Sequence, residues 1–261
     1  MKEHLQTLDT LNINLGSGDM VLVNFILAFV MFGVALSIRV STFKSILKKP
    51  KSVTIGLLLQ WFALPALTCL LAIVLNPVIT PMVALGMILV ASCPGGNISN
   101  FMTSLSKGNV ELSVSLTAIT TAFASFVTPI NFLVWGSIYS RFAAMHNSIP
   151  TLEIPFSDML QQILLILGLP IVLGILFAHY LPNAAKKIMK PSQILSILLF
   201  MGMVAVSLTQ VITALPEDNS VYIGILIILV FVIIHNATAL GTGFFTAKLF
   251  KAQPADCRTL T

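Results

Sequence analysis

Ser92-Cys93-Pro94-Gly95-Gly96-Asn97-Ile98-Ser99-Asn100 interrupts an apolar run that spans residues 78–105. Proline removes a backbone donor from a helix and the two glycines weaken it further. In hydrocarbon the polar groups freed by such a break find no water. The break is therefore tolerated only where protein buries it or where it lines a wet cavity. A fresh half-helix begins just after it. Its free N–H groups, near Asn97 and Ile98, sit at the positive end of the helix dipole and offer a place for an anion. A plain proline kink packed against its neighbours is the alternative, and three polar side chains following at once on the glycines argue against it. Cys93 has no basic partner nearby in sequence and reads as a small buried hydrophobe rather than a nucleophile.

That this run crosses a membrane follows from the composition. Of 261 residues, 57% are hydrophobic and 9% are charged, whereas soluble domains carry about 25% charged residues. So little charge excludes a soluble enzyme, a disordered chain and a nucleic-acid-binding domain. A transmembrane helix needs about 20 apolar residues, and seven segments qualify: 20–38, 52–76, 78–105, 110–138, 156–180, 191–212 and 221–249. The short alternating strands of a barrel do not occur. The fold class is an all-α polytopic membrane protein embedded in the lipid bilayer.

The loops give the orientation. Arg39, Lys44, Lys48, Lys49, Lys51, Lys107, Lys186, Lys187, Lys190, Lys248, Lys251 and Arg258 fall on one side of the seven spans. Lys2 and Arg141 fall on the other, with Glu153, Glu217 and Asp218. The positive-inside rule then places the N-terminus outside and the C-terminus in the cytoplasm. Trp135, Tyr139 and Tyr222 near outer span ends, and Tyr180 near an inner one, fit an aromatic belt. Residues 1–19 are polar and acidic and read as an external segment, not a cleaved leader. Cys69, Cys93 and Cys257 have no disulfide or zinc spacing.

A second polar cluster lies one span on. Ser113 and Thr117 are four residues apart and share a helix face, with Thr120 and Thr121 one turn further. Only Lys107, Gly108 and Asn109 separate the two spans, so they are antiparallel neighbours, and Ser99, Asn100, Ser113 and Thr117 can converge. Hydroxyl and amide oxygens suit a hard cation such as Na+. Any single membrane Ser or Thr more commonly bonds a helix backbone; the cluster beside a break is the stronger signal. Gln60, before Trp61 and Pro65, is either interhelical glue or an ion ligand. His235-Asn236 lies deep in the last span, where the histidine reads as a satisfied structural group. Gly241 and Gly243 allow close helix packing, and Pro129 and Pro170 read as kinks. No carboxylate sits at mid-membrane, as a proton relay would need, and no ATP-binding loop or nucleophile–base constellation is present. The chain is not read as an enzyme.

Met31-x-x-Val34-Ala35-Leu36-Ser37 in the first span matches Met201-x-x-Val204-Ala205-Val206-Ser207 in the sixth. These spans run in opposite directions, as in an inverted repeat, although chance similarity between two apolar helices also gives such a match.

Together these residues resemble the bile acid:sodium symporter family, in particular its bacterial members. The likeness rests on Gln60 with Pro65, on the stretch 93–100, and on Lys107-Gly108-Asn109-Val110-Glu111-Leu112-Ser113. It extends to His235-Asn236 with Gly241-x-Gly243-Phe244-Phe245 and to Asp256-Cys257-Arg258-Thr259-Leu260-Thr261. The resemblance implies two inverted repeats, one over 20–138 with the broken helix at 92–100 and an incomplete one over 156–261. It also implies a core (spans two, three, four and seven) and a panel (one, five and six). One Na+ would take Ser99, Asn100, Ser113 and Thr117, and a second would involve Gln60. An organic anion, bile acid-like or a small carboxylate, would bind near Gly96, Asn97 and Ile98, and transport would be symport by alternating access in a bacterial inner membrane. The family's second broken helix, with a Glu and a Gln that complete both Na+ sites, would follow Thr261. The expectation is thus that both sites are incomplete and the chain is about two spans short, the alternative to a symporter being a non-transporting fragment of one.

Overall fold

The computed structural model describes residues 5–6, 17–36, 50–147, 161, 164–214 and 219–261, and all regular structure among them is helical. The elements are α1 (Ser17–Ala35), α2 (Pro50–Leu58), a π-helical turn (Leu59–Ala63), α3 (Leu64–Leu75), α4 (Pro81–Ser92), α5 (Asn97–Leu105) and α6 (Val110–Asn147). A second π-helical turn (Leu164–Gly168), α7 (Leu169–Tyr180), α8 (Pro182–Ala214), α9 (Asn219–Leu249) and α10 (Pro254–Leu260) follow. Four helical stretches among the described residues are long and apolar enough to cross a membrane, and shorter apolar helices occupy the first, third and fifth segments. Arg39, Lys44, Lys48, Lys49, Glu153, Glu217 and Asp218 lie outside the described residues, as does most of the segment 1–19.

The third segment is broken as its sequence requires. α4 ends at Ser92, Cys93 is extended, and α5 begins at Asn97 after an extended Gly96. Two boundaries differ from the hydropathy reading. The fourth span, expected to end at 138, runs on as one helix to Asn147, and Pro129 sits inside it without ending it. The sixth, expected from 191, begins at Pro182 and carries Pro191 internally. In both, a charged or polar stretch of good helix formers lies beyond the apolar window, so hydropathy marks the lipid-facing part and not the helix end.

Pro65 and Pro170 each follow a π-helical turn by two residues. A proline offers no N–H to the carbonyl four residues earlier, and the wider π register absorbs the mismatch. Gln60 lies within the first of these turns. The expected kinks are thus changes of helical register at Pro65 and Pro170.

The helices sort into two groups. α1, α7 and α8 pack on one another, with Gly174 of α7 so close to α1 that a Cβ there would lie 2.6 Å from the Ala35 Cβ. α2 to α6 pack as a second group, joined by α9 and α10. Large apolar side chains face outward, including Phe25, Leu198 and Phe245, as expected where lipid is the solvent.

Tyr139 is not an interfacial residue. It is fully buried and its hydroxyl donates to Asn76 Oδ1 at 3.1 Å, beside a core of Cys69, Ile79, Ile88 and Phe132. Tyr180, by contrast, is exposed, and the Tyr222 side chain lies outside the described residues. Tyr139→Phe is expected to lower stability by about 1 kcal/mol, the net worth of one buried hydrogen bond. The unfolding midpoint in detergent reads this directly, and a midpoint equal to the parent's would show the bond contributes nothing.

Candidate functional site

The break leaves Gly96 as an N-cap that has no side-chain capping bond. No side chain therefore caps the first turn of α5, and of its N–H groups that of Ser99 donates to the Gly96 carbonyl at 3.1 Å. Asn97 and Ile98 open this turn, and their side chains lie outside the described residues. Gly95 brings the break against Gln60: a Cβ on Gly95 would sit 3.2 Å from Gln60 Nε2.

Two cavities flank α5. The smaller, of 290 Å³, has Gln60, Ser99, Ser113 and Thr117 in its walls. Asn100 Oδ1 accepts from Ser113 Oγ at 2.7 Å and from Thr117 Oγ1 at 3.3 Å, and Thr103 Oγ1 donates to Ser113 Oγ at 3.3 Å. Ser99 Oγ donates to the Gly96 carbonyl at 2.8 Å. The hydroxyl protons of Ser99, Ser113 and Thr117 are thus committed to acceptors, which leaves oxygen lone pairs for a hard cation. The structure brings all five residues picked for cation binding to this region. Thr120 belongs to the helix instead, bonding the carbonyls of Leu116 and Thr117.

Sequence reasoning missed three groups on the opposite walls. Asn236, Thr259 and Thr261 also line the smaller cavity. Asn236 Nδ2 donates to the Val232 carbonyl at 2.8 Å, so its own carbonyl oxygen remains an acceptor. Its neighbour His235 is buried with Nε2 2.9 Å from Thr68 Oγ1, in keeping with a structural role. Gly243 lets α10 reach this wall, since a Cβ there would collide with the Leu260 carbonyl; Gly241 has nothing within 4 Å and no such role.

α10 is held by a polar clasp that hydropathy conceals. Asp256 is buried; it accepts from Ser52 Oγ at 2.6 Å and from Asn109 Nδ2 at 2.7 Å. The Asn109 N–H donates to Thr259 Oγ1 at 2.7 Å, and Arg258 Nη1 donates to the Ser106 carbonyl at 3.4 Å. Asp256 thus ties α10 to α2 and to the α5–α6 turn, where Lys107 adopts a positive φ of 55°.

The larger cavity, of 810 Å³, lies between the two helix groups. Gly96, Asn100, Thr117 and Thr121 face it from α5 and α6, and Val30 and Val34 from α1. Thr117 lines both cavities, and Asn100, which it bonds, forms part of the wall between them.

Residues 24–217 match the model of the Sodium Bile acid symporter family. The chain is 32% identical over 229 residues to the uncharacterized sodium-dependent transporter YocS of Bacillus subtilis, covering 88% of this chain and 65% of that protein. It is 29% identical over 235 residues to the probable sodium/metabolite cotransporter BASS2 of Oryza sativa, covering 90% of this chain and 51% of that protein. Against the human ileal sodium/bile acid cotransporter the identity is 30% over 165 residues, 63% of this chain and 44% of that protein. The chain thus spans 44–65% of the length of these relatives. The family and these relatives are transporters, not enzymes.

Proposed function

We propose that this chain, which belongs to the Sodium Bile acid symporter family, serves sodium-coupled symport of an organic anion by alternating access. The observation that carries this reading is the pair of cavities on either side of one short half-helix. Gly96 lines the larger cavity, and the N-terminus of α5 that begins there, at Gly96, Asn97 and Ile98, receives the anion. Ser99, Asn100, Ser113 and Thr117 hold one Na+ on the other side, and Gln60 takes part in holding a second. Asn100 and Thr117 couple the two: Na+ that fixes their side chains also fixes the wall against which the anion binds, and linkage makes the effect reciprocal. The α1, α7 and α8 group is the panel, and motion of the remaining helices against it exchanges access. The α5–α6 turn faces the cytoplasm, on the charge distribution of the loops.

An inward Na+ gradient across proteoliposomes is expected to drive at least about tenfold faster uptake of a radiolabelled bile acid or short carboxylate than an equal choline gradient. The corresponding coupling, about 1.4 kcal/mol, lies at the lower end of ordinary linkage energies. Uptake equal in Na+ and in choline, for every anion accepted, would sink the reading.

A further inference from the structure

We propose that Lys186, Lys187 and Lys190, at the corner where α7 turns into α8, bind the headgroup of an anionic phospholipid whose acyl chain lies along Ile194 and Leu198 of the same helix. The inference is independent of the symport reading. α7 ends at Tyr180 and α8 begins at Pro182, so Leu181 alone separates them. Ala185 is buried, and Ser196 lies against Gly33 of α1. These contacts fix which side of α8 turns inward. All three lysines are exposed.

One face of α8 carries both halves of the site. Lys187, Lys190, Ile194 and Leu198 are spaced three, four and four residues apart, which sets them in one row along the helix. Ile194 is 60% exposed and Leu198 63%, as side chains that meet lipid are. α8 has 33 residues, about 50 Å at about 1.5 Å per residue, whereas the hydrocarbon core is about 30 Å thick. The helix therefore overruns the core, and the change from apolar to basic along the row marks where it leaves. Lys190 lies one turn, about 6 Å, beyond Ile194, and Lys186 about 6 Å further. This puts Lys190 within the headgroup layer and Lys186 at its outer edge, from which a long flexible stem reaches back. Tyr180, exposed at the same corner, has the amphipathic ring that membrane interfaces favour.

The cluster has no counter-charge of its own. Neither α7 nor α8 contains an acidic residue, and the described carboxylates, Glu111 and Asp256, lie on α6 and α10. Lys186 and Lys190 are four residues apart and Lys187 and Lys190 three, spacings at which like charges on a helix repel. Cations elsewhere are accommodated. Arg258 donates to the Ser106 carbonyl, and Lys248 lies 6.0 Å from the Phe244 ring in the last turn of α9, where the helix dipole favours a positive charge. A phosphodiester relieves the repulsion, each lysine beside an anionic lipid surface contributing about fivefold in affinity. A ligand that meets both the lysines and the lipid-facing row needs a charged head on an apolar tail. A soluble anion or an acidic protein segment does not have one.

The test is thermal unfolding of the purified full chain in a neutral maltoside detergent, titrated with phosphatidylglycerol or with zwitterionic phosphatidylcholine. The parent's midpoint is expected to rise saturably with phosphatidylglycerol and less with phosphatidylcholine. The combined Lys186→Gln, Lys187→Gln and Lys190→Gln variant is expected to need at least about tenfold more phosphatidylglycerol for half the rise. Replacing the same three lysines by arginine keeps the charge and is expected to keep the parent's half-saturation within about twofold. Lys248→Gln with Lys251→Gln removes two cations outside the site and is expected to change nothing. Should the triple glutamine variant fail to accumulate, Lys190→Gln alone carries the comparison, with an expected loss of about fivefold. A parent that answers both lipids alike, a glutamine variant that answers as the parent does, or an equal loss on Lys248→Gln with Lys251→Gln would overturn the site. The same rise produced by glycerol 3-phosphate or inorganic phosphate without lipid would overturn the lipid assignment and show a site for soluble anions instead.

Discussion

Asn100→Ala is expected to abolish sodium-dependent uptake, with a fall of roughly 50-fold or more at any Na+ concentration below saturation. Asn100 Oδ1 is the shared acceptor of Ser113 Oγ at 2.7 Å and Thr117 Oγ1 at 3.3 Å. Alanine removes that acceptor, frees two hydroxyls to turn back on their own helix carbonyls, and opens the wall between the two cavities. Two partly buried hydrogen bonds at about 1 kcal/mol each, together with one lost cation ligand, account for the size of the effect. Asn100→Asp keeps the acceptors and adds charge, so it is expected to retain Na+ binding. The measurement pairs uptake with the Na+-induced rise in unfolding midpoint. An Asn100→Ala protein that shows both at the parent's level would remove this residue from the cation site.

Asp256→Ala carries the largest expected effect on stability, about 3 kcal/mol. The carboxylate is buried and receives two short bonds, from Ser52 Oγ at 2.6 Å and Asn109 Nδ2 at 2.7 Å. Hydrogen bonds to a charged group are worth about 1.5–3 kcal/mol, and removal of the acceptor strands both donors. In a chain of this size the loss corresponds to a drop in midpoint of roughly 6–10 °C. α10 would then lose its seat on α2 and on the α5–α6 turn, and Thr259 and Thr261 would leave the smaller cavity. Asp256→Asn, which preserves one acceptor oxygen, is expected to lose about half as much. A midpoint within about 2 °C of the parent for Asp256→Ala would show that the clasp is not what holds α10.

The particulars show why some of the site was legible and some was not. Proline and two glycines at 94–96 break a helix through covalent geometry alone, so α4 and α5 could be drawn from those residues. Ser113 and Thr117 share a face through helical periodicity, and the three-residue turn at 107–109 forces α5 and α6 together. The two π-helical turns carried only a faint signal, a downstream proline that looks like any kink. Tyr139 had the sequence position of an interfacial aromatic and the burial of a core residue, because its partner Asn76 lies 63 positions away. Gln193 and Ser196 stand among several polar residues at one end of α8, Lys190 and Ser192 included, and the sequence does not mark which of them the larger cavity takes in.

Composition, hydropathy and the break by themselves determined an all-helical membrane protein with one interrupted helix and a cluster of oxygen donors beside it. Each of these rests on local physics: the cost of backbone polar groups in hydrocarbon, the missing proton of proline and the 3.6-residue repeat. Tertiary structure alone decided that Asn100 stands between two cavities, that Asp256 is buried against Asn109 147 residues away, and that α8 presents Gln193 to the larger cavity. These facts depend on how helices distant in sequence pack, and packing joins residues whose local patterns carry no record of one another.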